Sequence, residues 1–377
     1  MRLRLCTFNV ENLFIRHDFG AFSNWRDEKY LDPIVQFHAP YGSGDLTEFE
    51  RFKRTIETAA IAQDDDRRQH TALAMLDADA DVYCLQEIDN FAALERFIQA
   101  YYAKVGGDSL THRVLHEGND FRGIDVAALS TRNYPFYTRS HAMLTPAWID
   151  DTASGKALLA KYKAARKCAD ELHGKRIFRR DCLEIVVYLK GTEVTVFNCH
   201  FKSMGSGDDK GFAMRQLEAV TVREIINRKF DDPTKALWAV AGDLNDAQRH
   251  IFVSRREGHP ETVKKHSPSG RKTGSGIDPL LDDGFGINLA ERLGELERWS
   301  QFYPAGQTKS QLDYIIASPA LAALISEEPR FIRAGQPYRV PNTSDVQRYP
   351  RIGWDRPKAS DHCPLVVDFD IPAAAGV

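Results

Sequence analysis

The chain has 377 residues, of which 43% are hydrophobic, 27% charged and 10% aromatic, and 50 Lys and Arg against 53 Asp and Glu leave a net charge of −3. This is the profile of a folded globular protein and excludes a globally basic nucleic-acid binder, so any cationic binding face must be local. No apolar run approaches the roughly 20 residues that span a bilayer, and no membrane partner is expected. The chain enters a strand-like pattern at once, with no charged segment and apolar core ahead of it, so a secretory leader is not expected. The six cysteines (Cys6, Cys84, Cys168, Cys182, Cys199, Cys363) are scattered, with neither C-x-x-C spacing nor a disulfide framework. Free thiols of that kind suit a reducing, cytoplasmic compartment.

Strand and helix signals alternate along the chain. Residues 2–9 alternate as a first strand, and a long irregular stretch at 14–46, rich in aromatics, Gly and Pro, follows. Thr47-Glu48-Phe49-Glu50 reads as a capping box opening a helix that is interrupted near Asp64-Asp65-Asp66 and resumes toward Leu76. A short apolar strand at 81–86 ends at Glu87, after which Leu94, Phe97, Ile98 and Tyr101 recur at helical spacing. Strands are expected near 112–116 and 124–130, and a basic amphipathic helix over 154–173, closed by Gly174. Residues 182–189 and 192–200 read as a hairpin turned at Lys190-Gly191. Helix 212–229, strand 236–241, a polar and basic stretch at 254–279, strand 311–317 and a final strand at 363–370 complete the order. There is no internal repeat and no Gly/Ser linker between two halves, so one domain over 1–372, with inserted loops near 14–46 and 254–279, is expected.

Six patches stand out: Phe8-Asn9-Val10-Glu11-Asn12, Leu85-Gln86-Glu87, Asn198-Cys199-His200-Phe201-Lys202, Gly242-Asp243-Leu244-Asn245, Leu312-Asp313-Tyr314 and Ser360-Asp361-His362. Five close a strand-like stretch and the sixth sits just before one. Taken singly, each has a bland reading as a turn, a cap or a solvated strand end. Together they gather Asn, Glu, His and Asp at strand ends, where α/β folds hold ligands. That set suits a hard divalent cation beside a phosphate. Hydrolysing a phosphate ester requires an activated water, offset charge on the equatorial oxygens and a stabilised leaving oxygen. Mg²⁺ prefers one or two carboxylates plus waters, so Glu87 and Asp361 are the expected metal carboxylates, with Asn9 as a neutral neighbour; Mn²⁺ or Ca²⁺ would accept the same oxygens. The lack of a Cys/His cluster argues against zinc. Asp313 and His362 are expected to form an orienting pair in which the carboxylate fixes the tautomer, with His362 acting on the nucleophilic water or on the attacked phosphate. Asp243 is placed to hold the nucleophile and Asn245 to donate to phosphate oxygens. His200 and Lys202 add donor or positive character near the scissile group, and Asn12 completes the expected substrate-binding set.

At these residues the chain resembles the endonuclease/exonuclease/phosphatase superfamily of metal-dependent phosphoesterases, over about residues 1–370. The resemblance implies an α/β fold, a four-layer αββα sandwich of two packed mixed sheets flanked by helices, with the site at one edge. It matches Glu87 to the family's metal glutamate and Asn9 to its first-strand Asn. It likewise matches Asp243/Asn245 to the Asp-x-Asn pair, Asp361/His362 to the terminal pair and Asp313 to the histidine's partner. His200 is similar to the second catalytic histidine of deoxyribonuclease I-like members. Phe178-Arg179-Arg180-Asp181 resembles their phosphate-contacting arginine motif, which implies Arg180 at the site. Glu11 departs from the Asp or other residue carried by several DNA-repair members.

Three substrate readings compete. The first is a Mg²⁺-dependent nuclease acting on DNA or RNA. Its support is local basicity in the 156–167 helix, in Arg176, Arg179 and Arg180, and in the run from Lys264 to Lys272, with Trp299, Phe302 and Tyr303 able to stack on bases. The second is a phosphatase or phosphodiesterase acting on a small-molecule or lipid head-group ester. The third, a binding module that has lost catalysis, is disfavoured because buried carboxylates are costly to keep without a cation. No obligate protein partner is inferred.

Overall fold

The computed structural model describes residues 1–13, 65–120, 123–204, 209–254, 260–265 and 274–374. The stretch at 14–46, the capping box at Thr47 and the basic run from 266 to 273 lie outside these residues. In chain order the strands are β1 (Arg2–Leu13), β2 (Val82–Ile88), β3 (His112–His116), β4 (Asp125–Ser130), β5 (Phe136–Ser140), β6 (Cys182–Leu189), β7 (Thr192–His200) and β8 (Trp238–Asp243). They continue as β9 (Arg249–Phe252), β10 (Thr262–Lys265), β11 (Ile287–Asn288), β12 (Gln301–Tyr303), β13 (Thr308–Ser310), β14 (Asp313–Ala317), β15 (Arg330–Phe331) and β16 (Leu365–Asp370). The α-helices are α1 (65–78), α2 (Phe91–Phe97), α3 (Pro146–Ile149), α4 (Ala153–Lys161), α5 (Lys163–Glu171), α6 (Asp209–Lys229), α7 (Asp278–Leu281) and α8 (Pro319–Ala322).

Two six-stranded sheets, ordered β15-β16-β1-β2-β4-β3 and β11-β14-β8-β7-β6-β5, pack face to face. Between them lies the central core. Leu3, Leu5, Val82, Cys84 and Val126 of the first sheet meet Ile185, Val196, Ala239, Ala241 and Ile315 of the second. Because side chains alternate along a strand, the other face of β1 (Cys6, Phe8, Val10) is turned outward, and it is covered by Met75 and Ala78 of α1 and Leu94 and Phe97 of α2. On the far side, α6 lays Ala219, Val222 and Ile226 over Phe197, Trp238 and Tyr314. The result is the expected four-layer αββα sandwich. Among the described residues, no helix is long and apolar enough to cross a membrane.

Each sheet has one parallel pair near its centre, β1 with β2 and β7 with β8, and its other neighbours run antiparallel. All four parallel strands therefore end at one edge of the sandwich. The strands antiparallel to them, β14 and β16, begin at that same edge. This corrects one expectation: Asp313 opens β14 rather than closing a strand, and it reaches the shared edge because β14 runs against β8 with Asp313 opposite Asp243.

Beneath that edge two amides join the sheets. Gln86 Nε2 donates to Asn198 Oδ1 (2.8 Å) and to Thr7 Oγ1 (3.1 Å), while Asn198 Nδ2 donates to the carbonyls of Leu85 (3.2 Å) and Ala127 (2.9 Å). Both residues are fully buried. The β6–β7 hairpin turns as expected at Lys190-Gly191, with φ of 48° and 81°, the two positive angles a tight type I′ turn requires. The helix expected over 154–173 is instead two, α4 and α5. They break at Tyr162, whose ring is buried and whose hydroxyl donates to Asp282 Oδ2 (2.9 Å). Anchoring that ring carries the backbone out of helical geometry.

Replacing Asn198 by Ala strips partners from Gln86 and from two buried carbonyls. We expect a loss of about 1–3 kcal/mol of unfolding free energy, read as a lowered urea midpoint, and partial recovery when Gln86→Leu is added.

Candidate active site

The shared edge collects the patches. Register across β7, β8 and β14 sets His200 beside Asp243 and Asp243 beside Asp313. Gly242 permits this spacing. It has φ of +145°, and a Cβ there would lie 1.8 Å from the Cys199 carbonyl oxygen of the neighbouring strand. On the opposite sheet, β1 and β2 both shift register at their ends, between Asn9 and Leu13 and between Gln86 and Ile88. Bulges of this kind re-aim side chains, and here they turn Glu87 toward the second sheet. Glu11, Asn12, Glu87 and Asn245 all hold positive φ (49°, 59°, 67° and 50°), a conformation costly for residues with a side chain.

Two contacts bridge the sheets at the edge itself. Asn9 Nδ2 donates to Glu87 Oε1 (3.2 Å) and across the gap to Asp243 Oδ2 (3.0 Å), and its Oδ1 accepts from the Glu11 N–H (3.0 Å). His362, just ahead of β16, sets Nδ1 2.6 Å from Asp313 Oδ2 on the other sheet. Ser360 Oγ fixes that segment, donating to the Asn9 carbonyl (2.7 Å) and accepting from the His362 N–H (3.0 Å). His362 Nε2 lies 3.9 Å from Asp243 Oδ2, too far for a hydrogen bond. Asp243 is otherwise occupied by Asn245, which donates its N–H (2.9 Å) and Nδ2 (3.1 Å) to the two carboxylate oxygens.

His200 and Arg180 form a second buried pair, with Arg180 Nη2 2.9 Å from His200 Nε2. A guanidinium can only donate, so Nε2 accepts and the ring proton sits on Nδ1. Arg180 also lies 3.6 Å from Asp120, and His200 Nε2 is 3.6 Å from Asp243 and 3.9 Å from Glu87. The expected Arg180, His200, Asp243, Asn245, Asp313, His362, Asn9, Glu87 and Asp361 thus belong to one constellation. Asn12 contributes its backbone N–H, which donates to Glu87 Oε2 (3.0 Å). Lys202 directs its ammonium toward Ser203 Oγ (3.3 Å), and its backbone N–H donates to Glu218.

Gln301 and Ser300 belong to the site but carry no signal in the sequence pattern. The Gln301 amide donates to Asp361 Oδ2 (3.4 Å) and lies 3.3 Å from His362 Nε2. Ser300 Oγ accepts the N–H groups of Leu312 and Asp313. Trp299 and Phe302, read from the sequence as possible stacking rings, are buried in the core, whereas Tyr303 is exposed. Three of the five cations of the basic helical region are also paired. Lys161 pairs with Asp283, Arg166 with Asp150 and Asp170, and Lys167 with Glu171.

Charge is concentrated at the edge. Burial and the charge of Asp361 raise the pKa of Glu87. Burial pushes Asp243 up to about 7, with Asp313 adding to it against the opposing pull of His362. Burial opposes ionisation of His362, yet Asp313, Asp243 and Asp361 outweigh it and hold the imidazolium well above its usual range. Burial likewise works against the Asp361 carboxylate, but His362 and Lys358 keep its pKa low.

Two adjoining donor sets can hold a cation. Ligand atoms of Asp243, Asp313 and His362 all lie within 4.8 Å of one another, and Asp313 Oδ1 is buried without a hydrogen-bond partner. Glu87 and Asp361 form the more open set, with 20% and 38% of their side chains exposed. Their mutual repulsion is the kind a divalent ion relieves, and their oxygens fit a hard cation. Asn9 turns its NH₂ rather than its carbonyl toward Glu87, so as it stands it steadies the carboxylate instead of offering a ligand oxygen.

The sequence profile of the Endonuclease/Exonuclease/phosphatase family matches residues 6–362, which include all of these groups. The chain belongs to the endonuclease/exonuclease/phosphatase family. It is therefore a phosphoesterase, with a buried Asp/Asp/His group able to take a metal. No curated protein is significantly similar to it by sequence. Among solved structures, SmcL aligns over 98% of this chain and 99% of its own at 16% identity and a TM-score of 0.50, a likeness of fold. A family protein from Bacteroides thetaiotaomicron (15% identity, 98% and 96% covered, TM-score 0.47) also aligns. So does an AP endonuclease from Archaeoglobus fulgidus (16% identity, 98% and 100% covered, TM-score 0.48).

The raised acids give the phosphoesterase a pH signature. Asp243 and the buried Glu218, also pushed to about 7 by burial, stay protonated in the folded protein where the unfolded chain has already released those protons. Stability is then greatest below about pH 4 for these groups and declines as pH rises toward about 7. In EDTA the melting temperature should fall between about pH 5 and about pH 7.5 on their account. Asp243→Asn and Glu218→Gln should each flatten the slope.

Proposed function

We propose that this phosphoesterase is a divalent-metal-dependent nuclease that hydrolyses phosphodiester bonds in DNA or RNA by attack of water on phosphorus. The observation that carries the hydrolytic reading is the pairing of His362 with Asp313 at 2.6 Å across the two sheets, with Asp243 3.9 Å from the imidazole's other nitrogen. Asp313 holds the Nδ1 proton and orients the ring, so that the imidazolium its neighbours favour aims Nε2–H as a donor at the attacked phosphate. Asp243, kept from a direct bond to that nitrogen, is placed to take the attacking water. Asn245, His200 and Arg180 line the side on which phosphate oxygens would gather, and Arg180 supplies a buried positive charge there. Glu87 and Asp361 would hold the Mg²⁺, Mn²⁺ or Ca²⁺, which when bound offsets phosphate charge and stabilises the leaving oxygen. Nucleic acid as the substrate, an intracellular setting and independence from membranes go together in this reading.

A second reading, hydrolysis of a small soluble phosphoester, is favoured by the partly neutralised helical region. Three of the five cations of α4 and α5, Lys161, Arg166 and Lys167, are already matched by Asp283, Asp150, Asp170 and Glu171, which reduces the attraction of that face for a polyanion.

The two readings separate when wild type, Glu87→Ala and His362→Ala are incubated with plasmid, single-stranded DNA, RNA and bis-p-nitrophenyl phosphate, with Mg²⁺ or with EDTA. Metal-dependent cleavage of polynucleotide is expected, lost in Glu87→Ala together with metal affinity. His362→Ala should lower turnover by about 10²–10⁴-fold with metal affinity preserved. Hydrolysis of the small ester alone would transfer support to the second reading, and equal loss of metal binding in His362→Ala would overturn the division of roles.

A further inference from the structure

Beside the catalytic edge, the segment between β15 and β16 folds against the β12–β13 hairpin and leaves a recess of about 580 Å³. That is within the range of small-molecule sites. Both of its walls are tied to the catalytic segment. On one side, Phe302 lines the recess directly after Gln301, whose amide reaches Asp361 and His362. On the other, Gln336 donates to the carbonyls of Ser360 (3.2 Å) and His362 (3.1 Å), two residues before Tyr338, which also lines it.

The lining has an unusual composition. Tyr338 and Trp354 are 55% and 72% exposed. Their backbones are held together, since the Tyr338 N–H donates to the Gly353 carbonyl and the Arg339 N–H to the Trp354 carbonyl. The Arg348 guanidinium lies 5.5 Å from the centre of the Tyr338 ring. It spends its terminal nitrogens on Thr343 and Val346, and its Nε is buried without a hydrogen-bond partner. The recess is lined by Arg348 and by Arg339, the latter paired with Asp355 (2.6 Å), together with side-chain amides and hydroxyls such as those of Gln307, Asn342 and Thr343. Exposed apolar rings gathered at a recess rimmed by polar groups mark an interaction site. Planar aromatic faces, a cation and amide donors and acceptors are the chemistry that recognises a nucleobase.

We propose that this recess binds an unpaired nucleobase of the substrate, stacked on Tyr338 or Trp354, while the adjoining phosphate occupies the catalytic edge. The proposal rests on the nuclease reading and narrows it to single-stranded nucleic acid, because a base inside a duplex is not available to enter.

The test has two arms. In the first, Tyr338→Ala, Trp354→Ala and the double variant are assayed on single-stranded oligonucleotide and on bis-p-nitrophenyl phosphate. Expected is a rise of about tenfold or more in KM for the oligonucleotide in the double variant, as loss of base stacking implies, with a far smaller change for the small ester. Equal losses on both substrates, or none on the oligonucleotide, would overturn the proposal. In the second arm, Glu87→Ala protein is titrated with adenosine 5′-monophosphate and with ribose 5-phosphate while tryptophan emission is followed. Quenching by the nucleotide alone, abolished by adding Trp354→Phe, supports the base site. Equal quenching by the sugar phosphate, or no quenching, rejects it. Because binding is read without turnover, nucleotide quenching in a protein that cleaves no polynucleotide would remove the nuclease reading and leave the base site standing.

Discussion

Beneath the catalytic edge, the Gln86 and Asn198 amides hold the two sheets in one alignment. Burial of aliphatic side chains drives the sheets together but is indifferent to small slides and rotations. A buried amide is not, since moving it by an ångström or two leaves polar atoms unpaired in a medium that cannot hydrate them. Gln86 precedes Glu87, and Asn198 stands two residues before His200, so each clasp residue shares a strand with a group at the site. The cross-sheet contacts above them, Asn9 with Asp243 and His362 with Asp313, need that alignment to reach 3.0 and 2.6 Å.

The site concentrates strain and like charge in the same few residues. Glu87, Asn12, Glu11 and Asn245 sit in left-handed backbone conformations, and Glu87, Asp243, Asp313 and Asp361 crowd one edge. Glu11, where the sequence departs from several DNA-repair members, is not among the crowd. It faces Lys358 at 3.1 Å, with Arg356 and Arg67 at 3.6 and 3.7 Å. Its carboxylate balances cations that also help keep Asp361 ionised, so the departure alters the electrostatic surroundings of the site and leaves the acidic centre as it is.

Much of this was legible in the sequence because strands buried on both faces read as apolar runs, and a polar residue ending such a run is conspicuous. Asn9, Glu87, His200 and Asp243 were visible for that reason, and Asp361-His362 by its place just before the last strand. The polarity of β14 relative to its neighbours was not, since only pairing with β8 decides whether Asp313 arrives at the shared edge. Gln301 and Ser300 lie in a hairpin without periodic pattern, where nothing marks them apart from other polar residues. Trp299 and Phe302 sit among Arg, Ser and Gln and so read as surface rings, but packing against the sheets buries them. The basic helix is a similar case: Asp150, Asp282 and Asp283, which engage its cations, lie outside the helical segment itself. Long-range partners of this sort have no local signature.

The last strand pairs with the first, Arg2 opposite Asp370 through Thr7 opposite Leu365, and the Asp361-His362 dipeptide lies just ahead of it. During translation the acidic residues of the first sheet and the whole of the second are made well before that dipeptide leaves the ribosome. Until then the edge lacks the His362 imidazole and one of its two open carboxylates. The cross-sheet pairing of His362 with Asp313 thus depends on β16 lying beside β1, and a chain cut ahead of residue 361 loses the groups that close the edge from that side.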